Sequence, residues 1–319
     1  MKKKLFLVCM SLVWTVALMA QQIAVVSASG TTHVYKTFQA AIEGASAGSV
    51  IYLPGGGFPI ADDVKITKKL TIIGIGHKIK TENPDGYTTV SGNLFFDQGS
   101  DGSALMGCYV TGNVNIASGV DDVLIRCNNI NQVNVGGSCS GTNINQNYIR
   151  NVTSCNGASV RFTNNVAHSI YQLNDGFISN NIITNACGWG SNSVYHAIRY
   201  CDRTSITNNI ILYHNPHLGS DCFASGNMCV SNWGDDCINV NAEGFDWKNV
   251  FKDYQGISAT SNFHFTDNYK QYEGQVGIYH GTFNDAQLAP VPYIVAKSIP
   301  EQTDASGKLN IKIRVKAGE

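Results

Sequence analysis

Ile125-Arg-Cys-Asn-Asn129-Ile, Ile144-Asn-Gln-Asn147-Tyr-Ile, Val160-Arg-Phe-Thr-Asn-Asn165-Val and Phe177-Ile-Ser-Asn-Asn181-Ile share one pattern. Each is a short strand, a turn ending in Asn, and a second short strand. The pattern begins at Tyr109-Val-Thr-Gly-Asn113-Val and returns at Ile206-Thr-Asn-Asn209-Ile and Phe223-Ala-Ser-Gly-Asn227-Met. Successive aligned Asn residues are 16, 18, 18, 16, 28 and 18 positions apart. A helix-free repeat of this length excludes leucine-rich, ankyrin and helical-pair arrays, and propeller blades need roughly twice the period. The unit is one coil of a parallel β-helix, with coils stacked ~4.8 Å apart so that equivalent residues lie above one another. About ten such coils are expected. Asn suits the turn because it tolerates left-handed backbone angles. Its amide can also hydrogen-bond from coil to coil. A sugar-binding groove lined by these Asn is the alternative use of the same row.

The composition agrees with a solenoid. The chain has 319 residues, 43% of them hydrophobic, so it can bury a core. Only 14% are charged, and the formal net charge is -1. That balance argues against a nucleic-acid binder, which carries a basic surplus or stripe. From Ala104 to Gly190 there are 17 Asn but six charged residues. Helix interiors disfavour Asn, so this is not the composition of a helix-rich enzyme.

Working outward, residues 1–20 read as a signal peptide. Lys2, Lys3 and Lys4 precede the apolar run Leu5 to Met19, and Ala20 offers a small residue for cleavage. The run is short for a membrane span, and no later segment has the 18 uninterrupted apolar residues of one. The expected location is secreted, periplasmic or cell-surface, in a Gram-negative-type bacterium. Residues 21–62 form an N-terminal cap and first strand. Within them Phe38, Ala41, Ile42 and Ala45 share one helical face, with Thr37 as N-cap. Residues 63–285 are the β-helix. Residues 286–319 hold the alternating strands from Tyr293 and Leu309, with Asp304-Ala-Ser-Gly307 between them. They predict a hairpin covering the open end of the solenoid. Nine cysteines follow the leader without a C-x-x-C pair, which fits small buried hydrophobes better than zinc or redox chemistry.

The segment from Phe38 to Gly76, with Lys68-Lys-Leu-Thr-Ile-Ile-Gly-Ile-Gly76, resembles the cap and first coil of the pectate-lyase-like right-handed parallel β-helix superfamily. Gly274-Gln-Val-Gly-Ile-Tyr-His-Gly281 resembles a last-coil motif of secreted members. The resemblance spans roughly residues 33 to 283 and implies an all-β, single-stranded right-handed solenoid with a capping helix. It implies no single activity, because the superfamily holds lyases, hydrolases, esterases and adhesins.

Chemistry is expected where the repeat breaks. The 28-residue interval holds Trp189, Tyr195, His196, Arg199, Tyr200 and Arg203. The next coil adds His214 and His217, and a later turn adds Trp233. Loops extruded from a solenoid commonly form its binding surface. Aromatic faces beside polar and cationic groups suit sugars. These residues predict binding to an extracellular polysaccharide or a cell-surface partner. A structural or adhesive solenoid is another reading. A polysaccharide lyase would use Arg199 or Arg203 as base or carboxylate partner. Gly234-Asp235-Asp236-Cys237 is similar to the Gly-Asp-Asp-Cys motif of polygalacturonases. That resemblance implies Asp235 and Asp236 as catalytic carboxylates of an inverting hydrolase, with carboxyls ~6.5–9.5 Å apart. The other pieces of such a site should be on neighbouring coils, as Asp175 and His280 would have to be. Ca²⁺ is the cofactor the acidic pair would favour, but calcium needs six to eight oxygens, and two carboxylates do not establish it. No metal site is assigned, because Pro216 denies His214 and His217 a helical spacing.

Overall fold

Outward and inward side chains alternate along each short strand, so stacking the coils files every inward position into the core. The computed structural model describes residues 22–60, 64–77, 86–185, 196–212, 216–229, 238–239, 250–252, 258, 261–280, 293–298, 306–308 and 311–316. These form a right-handed parallel β-solenoid of about eight turns. Each turn has three faces.

Face 1 stacks strands such as Ser49–Tyr52, Leu70–Ile73, Leu124–Arg126, Val160–Thr163 and Phe223–Ser225 in parallel. Its inward file runs Ile51, Ile72, Leu105, Ile125, Ile144, Phe162, Ile178 and Ile206, all buried. Faces 2 and 3 are the two halves of longer strands such as Tyr109–Ile116 and Asn129–Val135. A register shift between Val110 and Asn113 marks the corner between them. Below the first coil, Ile23–Val26 pairs antiparallel with Thr32–Tyr35 and with face 1. The capping helix covers Phe38–Gly44, and Thr37 Oγ1 accepts from the Ala40 N–H at 3.2 Å, as its sequence implied.

The corner between faces 1 and 2 is built by two residues with separate tasks. The first is left-handed: Gly107, Cys127, Gln146, Asn164, Asn180, Asn208 and Gly226 have φ between 54 and 68°. The second is a fully buried Asn: Asn128, Asn147, Asn165, Asn181, Asn209 and Asn227. Each of the first five donates its N–H to the Oδ1 of the next ladder Asn at 2.8–3.0 Å. Every Nδ2 reaches a face 1 carbonyl of the coil before, as Asn147 does to Ile125 O at 2.8 Å. The row is interior, so it does not line a groove.

Two members of the sequence alignment are shifted. Asn128, not Asn129, is the ladder residue. In the preceding coil Cys108 holds that position and donates its N–H to Asn128 Oδ1. Asn113 instead belongs to an outer file, where Asn131 Nδ2 donates to its Oδ1 and Asn151 Nδ2 to that of Asn131.

The described residues make about eight coils rather than the ten expected, and part of the difference has a physical reason. Residues 261–280, which include most of the motif from Gly274, make no rung of either large sheet. They fold back across the outside of face 2 with Val250 and Phe251. There the outward file Val166, Ile182, Ile210 and Met228 is apolar, and Phe251, Phe263, Phe265, Val276 and Ile278 bury it. The strap is pinned where Gly277 N–H donates to Asn208 O at 2.7 Å and Asn164 Nδ2 donates to Ile278 O at 2.9 Å. Gly277 is left-handed, and a Cβ there would meet Ile210 Cδ1 at 2.5 Å.

The C-terminal hairpin forms, pairing Tyr293–Ser298 with Lys312–Lys316 antiparallel. Its described side chains at 311–315 are all exposed. Among the described residues no helix is long and apolar enough to cross a membrane.

Cys108, Cys127, Cys139 and Cys155 are free thiols in the core, and Cys201 and Cys229 are buried there too. Burial pushes the Cys108 thiol up to about 12 and that of Cys127 to about 11. The nucleophile is the thiolate, so these groups stay inert until the pH approaches those values. Alkylation of folded protein at pH 8, read by mass spectrometry, should leave Cys108, Cys127 and Cys155 unmodified. The same reagent in urea should label all three. Rapid labelling of Cys108 in the folded state would show that the core opens.

Candidate functional site

The 28-residue interval separates two described strands. Ile183 ends its face 2 segment, and the chain regains face 3 at Ile198. Face 3 then presents one outward residue per coil, in register: Lys65, Phe95, Asn115, Asn134, Ser154, Tyr171, Arg199 and His217. Seven rungs separate its ends, ~34 Å along the axis.

The two ends of this file differ. The lower end is an open groove of about 520 Å³, lined by Lys65, Phe95, Asp97, Asn115, Asn134 and Asn156 among others. Lys65 Nζ lies 3.5 Å from Asp97 Oδ2. The Gln98 backbone N–H, then Lys65, hold the Asp97 carboxyl below its ordinary value. Asn134 Nδ2 donates to Asn115 Oδ1 at 2.8 Å, which makes a polar shelf.

The upper end is aromatic and cationic. The Tyr171 and Tyr200 rings meet edge-on at 5.9 Å, and Tyr200 meets His217 at 5.5 Å. His196 lies 4.9 Å from His217. The Arg199 guanidinium sits 4.5 Å from the Tyr200 ring centroid, and its Nη2 donates to Tyr200 Oη at 2.8 Å. Its Nε and Nη1 are shielded from solvent and have no hydrogen-bond partner among the described residues.

Four of the residues singled out by sequence, His196, Arg199, Tyr200 and His217, therefore converge. Tyr171 completes the cluster and was not singled out, because it sits in a regular coil and only the register with Arg199 assigns it. Arg203 is elsewhere. It forms a two-pronged ion pair with Asp175 at the corner leaving face 3, at 2.6 and 2.8 Å. This pairing holds the Asp175 carboxyl below its ordinary value. His280 lies on the strap, with Nδ1 against Gly274 O at 2.7 Å. Asp175, Arg199 and His280 thus occupy a corner, face 3 and the strap of face 2, and do not share a groove. Trp189, Tyr195, His214, Trp233, Asp235 and Asp236 lie outside the described residues. Among the described residues no three His, Cys, Asp or Glu side chains gather as a metal site would need.

No protein-family model matches the chain, no curated protein matches it, and no solved structure matches it.

Proposed function

We propose that this protein is exported and binds an extended, carboxylate-bearing polysaccharide laid along face 3, parallel to the solenoid axis. The observation that carries the reading is the single outward file from Lys65 to His217, which offers an extended polymer one contact per coil. In this reading Tyr200 and His217 stack on the C–H faces of sugar rings. The amides of Asn115 and Asn134 bond hydroxyls, and Arg199 takes a carboxylate. A ligand carboxylate would meet the exposed Arg199 Nη2 in a charge-assisted bond, roughly twice as strong as a neutral one. The resemblance to pectate-lyase-like solenoids supports an acidic glycan over a neutral one on this face. Catalysis is a weaker reading, because Asp175 is engaged by Arg203 and His280 lies on another face.

Titration calorimetry with polygalacturonate, alginate and neutral dextran tests the proposal. Wild-type protein should prefer the two acidic polymers, with affinity falling as salt rises. Tyr200→Ala and Arg199→Gln should each weaken binding by roughly tenfold or more, as central interface residues do. Failure of wild-type protein to bind either acidic polymer would sink the reading. Release of shortened chains during the titration would favour the enzyme alternative.

A further inference from the structure

Face 1 carries a feature independent of the face 3 site. Its outward file in the upper coils reads Arg161, Phe177, Ser205 and Phe223, in register. Phe177 and Phe223 are 49% and 61% exposed. They are two rungs apart, ~9.6 Å along the axis. The Arg161 guanidinium sits 5.2 Å from the Phe177 ring centroid and braces that ring. Two positions along each strand, Thr207 and Ser225 present hydroxyl side chains at the partly exposed surface, also in register. The face therefore offers two flat apolar platforms at a fixed interval beside hydrogen-bonding groups. Neither Phe177 nor Phe223 has an acidic residue as its register partner.

An extended β-1,4-linked glycan turns alternate sugar rings over, so like faces recur at every second sugar, a repeat of about the same length as two rungs. We propose that face 1 is a second binding site, for a neutral β-1,4-linked polysaccharide of the cellulose or chitin type. The chain runs along the solenoid axis, with alternate rings stacked on Phe177 and Phe223. The polar groups between the rings bond its hydroxyls. With face 3 occupied by an acidic chain, one molecule could hold two chemically different polymers. Face 1 needs no such occupant to bind its own.

Pull-down on insoluble cellulose and chitin tests this, with Phe177→Ala, Phe223→Ala, the double variant and Tyr200→Ala. Wild-type protein should bind at least one of the two solids. Each single Phe substitution should weaken binding roughly threefold to tenfold, and the double variant should abolish it. Tyr200→Ala should bind these solids as the wild type does. The thermal midpoint of each variant checks that it remains folded. Absence of wild-type binding to both solids overturns the proposal, as does a double variant that binds unchanged. Loss of binding in Tyr200→Ala instead would assign the neutral glycan to face 3. A wild-type dimer in sedimentation that the double variant loses would assign the two rings to a second copy of this chain.

Discussion

Asn147→Ala should lower the free energy of unfolding by about 3–5 kcal/mol, measured by urea denaturation, by stranding several buried groups at once. In the folded protein Asn147 Oδ1 accepts from the N–H and Nδ2 of Asn128, at 3.0 and 3.2 Å. Its Nδ2 donates to Ile125 O at 2.8 Å and to Asn165 Oδ1 at 3.0 Å. Asn147 and its ladder neighbours are fully buried, so water cannot take over these roles. Each orphaned group costs about 1–3 kcal/mol, and an alanine leaves at least two. Asn131→Ala is the comparison. Asn131 also stands in an amide file, donating to Asn113 Oδ1 at 2.9 Å and accepting from Asn151 at 2.8 Å. That file is on the outer surface, where solvent replaces a lost partner, so the cost should stay within about 1 kcal/mol. Equal losses in the two variants would mean that the inner ladder is not what holds coil to coil.

The same contrast explains what could be read from sequence. One obligatory amide per turn leaves a periodic mark, and the period revealed the solenoid. The mark is a pair of residues. Where both are Asn, as at Asn164-Asn165 and Asn180-Asn181, the left-handed residue and the ladder residue look alike. At Cys127-Asn128 the left-handed residue is a Cys and the ladder Asn is followed by a second Asn, so Asn128-Asn129 imitates those doublets one position late, and at Gly107-Cys108 neither residue is Asn. The capping helix was legible because its apolar spacing and N-cap are local. The strap was not, since Val276 and Ile278 read equally well as another coil. A signal for it did exist. Val166-Ala167, Ile182-Ile183, Ile210-Ile211 and Met228-Cys229 are apolar at both the outward and inward positions, whereas Asn129-Ile130 and Tyr148-Ile149 alternate. A strand apolar on both faces is covered on both.

The aromatic and cationic cluster was largely legible. His196, Arg199, Tyr200 and His217 lie where the repeat is interrupted, and an interruption is visible in the spacing. Tyr171 interrupts nothing. Its role depends on standing one rung below Arg199, and that follows from the register of Ile170 with Ile198 across the enlarged coil. The spacing of Asn181 and Asn209 gives the size of the insertion, but not the corner from which it leaves. The corner decides which face receives the side chains.

Phe162→Ala should cost about 3–5 kcal/mol, the range for emptying a buried aromatic site, whereas Phe177→Ala should cost no more than about 1 kcal/mol. The two residues are on the same face of adjacent coils, but on opposite sides of the sheet. Phe162 fills the inward file between Ile144 and Ile178 and is fully buried, so its removal leaves a cavity that stacked strands cannot collapse around. Phe177 is half exposed, and its described ring contact is the cation–π contact with Arg161, which at exposed sites is worth about 0.5–1 kcal/mol. Urea denaturation of the two variants separates scaffold from surface. A large loss for Phe162→Ala with a small one for Phe177→Ala leaves the exposed ring without a structural role. Its contacts must then be sought outside the chain, and Phe177→Ala becomes a clean probe of glycan binding. If Phe177→Ala is as costly as Phe162→Ala, the ring belongs to the scaffold and the platform on face 1 loses its basis.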